Sequence, residues 1–195
     1  MAVNIGLSTD TGNLTIDGDI DNGTAGAVNF ATGVTVASEG SLTLDGTTGG
    51  LVGAGTLDLD AKTGITLNDN LTTAGTTDIN ADSDGTGGVG TLTLAAGKTL
   101  STTNNILTIT AEDLDISGTS ITSGSAKTTI TDSDNNGIGL GATASTNGLD
   151  VSVAELTKIT GADVEFVSAG NIDVNGLTAA STATISGTLI LASAA

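Results

Sequence analysis

The sequence predicts a right-handed parallel β-solenoid, a stack of short coils around one thin aliphatic column. Three observations predict it. Apolar–polar–apolar triplets recur along the chain, Gly, Asn and Asp separate them, and three stretches align at a common length of 20 residues. Alternation of period 2 sends successive side chains to opposite faces of a strand, so each triplet reads as a short half-buried strand.

The triplets come in order as Leu14-Thr15-Ile16, Val34-Thr35-Val36, Leu42-Thr43-Leu44, Leu57-Asp58-Leu59 and Ile65-Thr66-Leu67. Leu92-Thr93-Leu94, Leu107-Thr108-Ile109, Leu114-Asp115-Ile116, Val164-Glu165-Phe166 and Ile172-Asp173-Val174 follow. Many of these positions are β-branched, which suits a pleated surface.

Residues 56–75, 106–125 and 162–181 share one plan: two apolar pairs, then a single apolar residue at Leu71, Ile121 or Leu177. Two pairs and a singlet describe three short faces of one coil. No coil buries its apolar face alone, so coils must stack about 4.8 Å apart. Residues 1–195 then form a single segment of about nine or ten coils, a rod on the order of 45 Å long. The chain has no Pro, as a stack in which every strand donates backbone N–H groups requires. Two intervals depart from the rule. Residues 131–147 are polar and read as a long loop, and residues 148–161 read as an irregular corner. Within that corner, Ala154 to Lys158 fits one helical turn or a bulge.

Composition narrows the function classes. Leu, Ile, Val and Phe make up about a quarter of the chain, above the roughly 20% below which charged chains stay disordered. The formal charge of −18 reflects 22 acidic residues against Lys62, Lys98, Lys127 and Lys158. Such a chain cannot neutralise a phosphate backbone, which argues against nucleic acid as a partner. It also lacks the basic clusters that dock on anionic lipid, and no apolar run is long enough to span a membrane. His, Cys, Tyr, Trp and Arg are absent, and general acid–base and nucleophilic catalysis lean on the first three. The expectation is a non-enzyme, with a polysaccharide-acting enzyme using paired carboxylates as a distant alternative.

Calcium is the sharper candidate ligand. Asp132-Ser133-Asp134-Asn135-Asn136-Gly137 sets oxygen donors at Asp132, Asp134 and Asn136 before a Gly that permits a sharp turn. Asp17, Asp19 and Asp21 repeat the rhythm before Gly23, and Asp82-Ser83-Asp84-Gly85 is a shorter version. Hard oxygen ligands suit Ca²⁺. The same residue types also build ordinary turns through Asx hydrogen bonds and positive φ. Counting from Asp132, position twelve is Thr143 and not the bidentate Glu of a complete loop.

Residues 128–179 resemble a repeat of filamentous-haemagglutinin-like exoproteins of the two-partner-secretion type. Ile138-Gly139-Leu140-Gly141 matches its first element. Leu149, Val151, Glu155, Leu156 and Ile159 match the second, and Gly170, Ile172, Val174 and Gly176 the third. The resemblance implies a β-helical shaft at the bacterial cell surface or outside it, serving adhesion or display. The carboxyl segment TATISGTLILASAA ends without a charged cap, and open solenoid ends present unpaired edges. The expected partners are therefore neighbouring coils of a longer chain, or further copies stacked end to end as a filament.

Overall fold

The computed structural model describes residues 7–19, 26–86, 88–142 and 148–193. The chain winds as triplets of strands. The first coil holds β1 (Leu7–Ser8), β2 (Leu14–Asp17) and β3 (Ala27–Phe30). The second holds β4 (Val34–Ser38), β5 (Leu42–Asp45) and β6 (Gly50–Gly53), and the third β7 (Leu57–Ala61), β8 (Ile65–Leu67) and β9 (Leu71–Thr73). The fourth holds β10 (Thr77–Asn80), β11 (Thr91–Leu94) and β12 (Thr99–Ser101), and the fifth β13 (Leu107–Ala111), β14 (Asp113–Ile116) and β15 (Ser120–Thr122). In the sixth, β16 (Lys127–Asp132), β17 (Ile138–Gly141) and β18 (Leu149–Ser152) precede a helical turn, α1 (Val153–Leu156), and β19 (Ile159–Thr160). β20 (Asp163–Ser168), β21 (Ile172–Asn175) and β22 (Leu189–Ser193) complete the described chain.

Every strand pairing is parallel, and strands with the same place in their coils stack. The first face is the sheet β1-β4-β7-β10-β13-β16-β20-β22, the second β14-β11-β8-β5-β2, and the third β19-β15-β12-β9-β6-β3. The chain is thus a parallel β-solenoid. Register turns the triplets into columns. Val36, Leu59, Ile79, Ile109, Ile130, Phe166 and Leu191 stack in line on the first face. Leu42, Ile65, Leu92 and Leu114 do so on the second, and Leu51, Leu71, Leu100, Ile121 and Ile159 on the third. Leu191 is exposed, and the other side chains meet in one continuous buried core. Strands alternate buried and half-exposed positions, as in Leu107–Ala111 and Lys127–Asp132. A parallel strand with one face inside a coil needs only that alternation.

Coil length is less uniform than the sequence suggests. The repeat is 20 residues from Leu57 to Thr77 but 30 from Thr77 to Leu107 and 36 from Thr128 to Val164. The first face therefore has eight strands among the described residues, where nine or ten coils of 20 were expected. Seven steps of about 4.8 Å make the stack about 34 Å tall. The first-face ladder runs unbroken past these longer coils, and in the 36-residue coil the surplus builds β17, β18 and α1.

Two further expectations are corrected. The interval 131–147 is not one long loop: β16 runs to Asp132 and β17 occupies Ile138–Gly141, while residues 143–147 fall outside the described chain. Ile138 and Leu140 are buried, and the glycines between and after them let the strand sit tightly. At Gly141, with φ +113°, a Cβ would lie 1.8 Å from the Asn175 carbonyl oxygen, so no larger residue fits. Leu177 is only partly buried and lies in no strand. Ile185, bridged to Gly161, takes the third-face place instead.

The irregular corner resolves as a helical turn. Ser152 caps α1 by accepting from the Glu155 N–H at 3.2 Å, and Glu155 Oε2 accepts the Ser152 N–H at 2.9 Å. This reciprocal capping box starts the turn and buries Leu156 against the core. The second face ends at β14, and β18, β17 and β21 form a separate three-stranded sheet beyond it. β17, which carries Ile138-Gly139-Leu140-Gly141, is the central strand of that sheet, with Ile138 between Leu149 and Ile172.

Candidate functional site

Where the third face turns into the first, inward positions carry hydroxyls. Thr73 and Thr77 are fully buried with their Oγ1 atoms 2.6 Å apart. One coil on, Thr102 Oγ1 donates to the Asn105 carbonyl, and in the next Ser123 Oγ donates to the Ala126 carbonyl at 2.9 Å and accepts from Thr128 at 2.8 Å. Thr102 and Ser123 thus bond turn carbonyls, as Thr73 and Thr77 do at Gly75, while Thr128 bonds the Ser123 hydroxyl. Alternation alone assigns Thr outward and misses this corner.

The opposite corner, where the first face turns into the second, carries acid. Ser38 aligns with Ala61, Ala111 with Asp132, and Ser168 with Ser193, so Asp132 stands in a column of small residues. It is 1% exposed. Its Oδ2 accepts from Ser168 Oγ at 2.7 Å and from the Gly137 N–H at 2.8 Å. The second of these closes a loop of five residues, with Asn135 at φ 58° inside it. Asp132 Oδ1 is buried without a partner.

The loop after β10 meets the loop after β16. Ser133 Oγ donates to Asp82 Oδ2 at 2.6 Å, joining residues 51 apart in sequence. Asp82 is 2% exposed, and its side chain presses on Gly90, where a Cβ would come within 2.3 Å. Burial pushes the Asp82 carboxyl up, the Ser133 hydroxyl pulls it down, and Asp134 and Asp84 push it up again. Between the two loops, the tight corner from β13 to β14 carries Glu112. Burial raises its carboxyl first, then Asp134, Asp82, Asp113 and Asp132 in turn. A Cβ on Gly148 would lie 3.6 Å from Asp132 Oδ1 and 3.7 Å from Glu112 Cγ, so these two acids face one small space.

The sequence-predicted donors therefore part company. Asp132 and Asp134 lie in the corner, and both have a buried oxygen without a partner. Asn136 is exposed and contributes backbone position rather than a buried oxygen. Asp82 joins them from another coil, which no single loop motif reveals. Asp17 and Asp19 form an exposed Asx turn, with the Asp19 N–H donating to Asp17 Oδ1 at 2.8 Å, and Asp19 Oδ2 also accepts from Thr47 at 3.0 Å. Asp21 lies outside the described residues.

Two grooves flank these features. One, of about 270 Å³, lies along the first face among Thr35, Asp58 and Asp78. There Asp58 and Asp78 stack in register, as do Asp60 and Asn80. The other, of about 300 Å³, lies among Asp113, Asp150 and Glu155, but its acids are bound to backbone: Asp113 Oδ1 accepts the Asp150 N–H, and Glu155 holds the cap of α1. The four lysines are engaged. Lys62 pairs with Glu39, Lys98 with buried Asp69 at 2.8 Å and Lys127 with Glu165 at 2.6 Å, while Lys158 donates to the Ile116 carbonyl. Thr108 stacks on Thr129 and Thr110 on Thr131 over two levels only, bounded by Asp78 and Glu165 in the first column and by Asn80 and Val167 in the second.

No helix is long and apolar enough to cross a membrane among the described residues. Comparison with family models, curated proteins and solved structures finds no match to the chain.

Proposed function

We propose that the chain is a shaft segment of a secreted or cell-surface adhesin-like protein, a structural spacer without catalytic activity. One observation carries this reading. Three parallel ladders share a single aliphatic column, and the buried hydroxyls of Ser123 and Thr128 are spent on closing a corner. Such a stack resists stretching because its backbone pairs are distributed along the whole axis. The resemblance of residues 128–179 to haemagglutinin-like exoprotein repeats points the same way.

A second reading, a subunit of an end-to-end filament, draws on β22. Within the described chain it pairs only with β20 and leaves Leu191 41% exposed.

Excision of residues 57–76 tests the shaft reading, because Leu57 and Thr77 occupy the same place one level apart. A spacer tolerates the loss: the variant folds, its rod shortens by about 4.8 Å in small-angle scattering, and the full-length protein still reaches the cell surface in antibody labelling of intact cells. Labelling that appears only after permeabilisation, for the unmodified protein, overturns the reading. Concentration-dependent fibres in sedimentation and electron microscopy favour the filament instead.

A further inference from the structure

Three consecutive coils send carboxylates to the corner between the first and second faces: Asp82 from the fourth, Glu112 from the fifth, and Asp132 and Asp134 from the sixth. Acids on the surface of a chain of net charge −18 are unexceptional. These differ in being withdrawn from water. Asp132 and Asp82 are 1% and 2% exposed, and Oδ1 of Asp82, Asp132 and Asp134 is buried with no hydrogen-bond donor. The other oxygens of Asp82 and Asp132 are held by Ser133, and by Ser168 and the Gly137 N–H. The two buried side chains are therefore fixed by one oxygen each and keep the other open.

A buried ionised carboxylate is costly without a counter-charge. Lys62 does not supply one. It is already paired with Glu39 and feels the exposed Asp84 rather than the buried acids. The other three lysines are committed elsewhere.

We propose that this corner is a Ca²⁺ site, taking the ion on the open oxygens of Asp82, Asp132 and Asp134, with Glu112 as the fourth carboxylate. Hard carboxylate oxygens in an adaptable arrangement suit Ca²⁺, which accepts six to eight ligands, better than Mg²⁺, which demands a rigid octahedron. Among the described residues no three acids are already gathered at coordinating distance. Binding therefore includes a side-chain rotation that closes the oxygens on the ion, and the half-exposed Glu112 and Asp134 have room for it. The ion would clamp the fourth coil to the sixth across the fifth.

The test uses the full chain, freed of divalent ions with chelator and held in about 150 mM NaCl, where diffuse attraction is screened. Isothermal titration with CaCl₂ should show one binding event per chain. Melting temperature should rise by about 3–5 °C at ten times the dissociation constant, with a smaller rise in MgCl₂. D82N/D134N keeps the shape of the corner and removes two charges, so it should fold, lose the binding heat and lose the thermal response. E112Q should weaken binding and retain the fold. D58N/D78N, altered on the outer ladder of the first face, should respond as the parent does. Absence of heat and of any shift up to about 10 mM CaCl₂, a response undiminished in D82N/D134N, or one lost equally in D58N/D78N overturns the proposal.

Discussion

Asp60 offers a test of how the outer ladder responds to charge. It lies one level below Asn80, two residues from Asp58 on the same strand face, with Asp78 above Asp58. Burial raises its carboxyl from 3.8 to about 6, and Asp58 and then Asp78 add to the rise. A raised folded-state value means that the folded chain holds this proton more tightly than the unfolded chain does. Ionisation therefore opposes folding. The opposition is absent below about pH 3.5, develops between 3.8 and about 6, and is complete above that. A shift of about two units corresponds to about 3 kcal/mol at 1.36 kcal/mol per unit. Asp60 is half-exposed, so solvent screening reduces this to about 1 kcal/mol. Asp60→Asn should accordingly stabilise the protein by about 1 kcal/mol at pH 8 and by close to nothing at pH 3.5. Urea denaturation at both pH values measures the difference without adding salt. Equal stabilisation at the two pH values, or a loss of stability at pH 8, refutes the reasoning.

Three other substitutions probe the column, a buried charge and a close approach. Ile109→Ala empties a fully buried position between Ile79 and Ile130. It should cost about 3 kcal/mol in urea denaturation, with the three ladders retained in circular dichroism. Lys98→Met leaves the Asp69 carboxylate, 3% exposed, without its cation. About 3 kcal/mol should be lost at pH 7, and Lys98→Met/Asp69→Asn should recover most of it. Gly141→Ala forces a methyl against the Asn175 carbonyl. It should speed amide exchange in β17 and β21 selectively and leave the third to fifth coils protected, since strain there is relieved by local opening.

Much of the fold is legible because period 2 is a local property. Each of the ten apolar–polar–apolar triplets lies in a strand, and residues 56–75 and 106–125 each make one coil of three faces. The helical turn is legible for the same reason: Ser152 and Glu155 stand three apart, so the capping box is local. Stretch 162–181 departs from the three-face plan. Its two pairs form β20 and β21, but β21 joins β17 in a separate sheet, and Ile185 supplies the third-face contact that Leu177 was expected to make. Composition cannot say which of two nearby apolar residues a corner of variable length will carry inward. Thr73, Thr77, Thr102 and Thr128 were equally hidden. A Thr at an inward position looks the same in sequence as one at an outward position until a neighbouring turn carbonyl needs its hydroxyl.

The acidic corner divides along the same line. The sequence by itself marks Asp132 and Asp134 as paired oxygen donors before a Gly, and it marks Asp82 and Asp84 as a weaker copy. That these two segments face each other around Glu112 is decided only by the stack. Ser133 reaches Asp82 because the corner of the fifth coil is a single residue while its neighbours carry loops. Alternation within a strand depends on adjacent residues, and so the chain determines its solenoid locally. Which loops meet across coils depends on the register and length of every turn between them, and only the assembled stack adds those together.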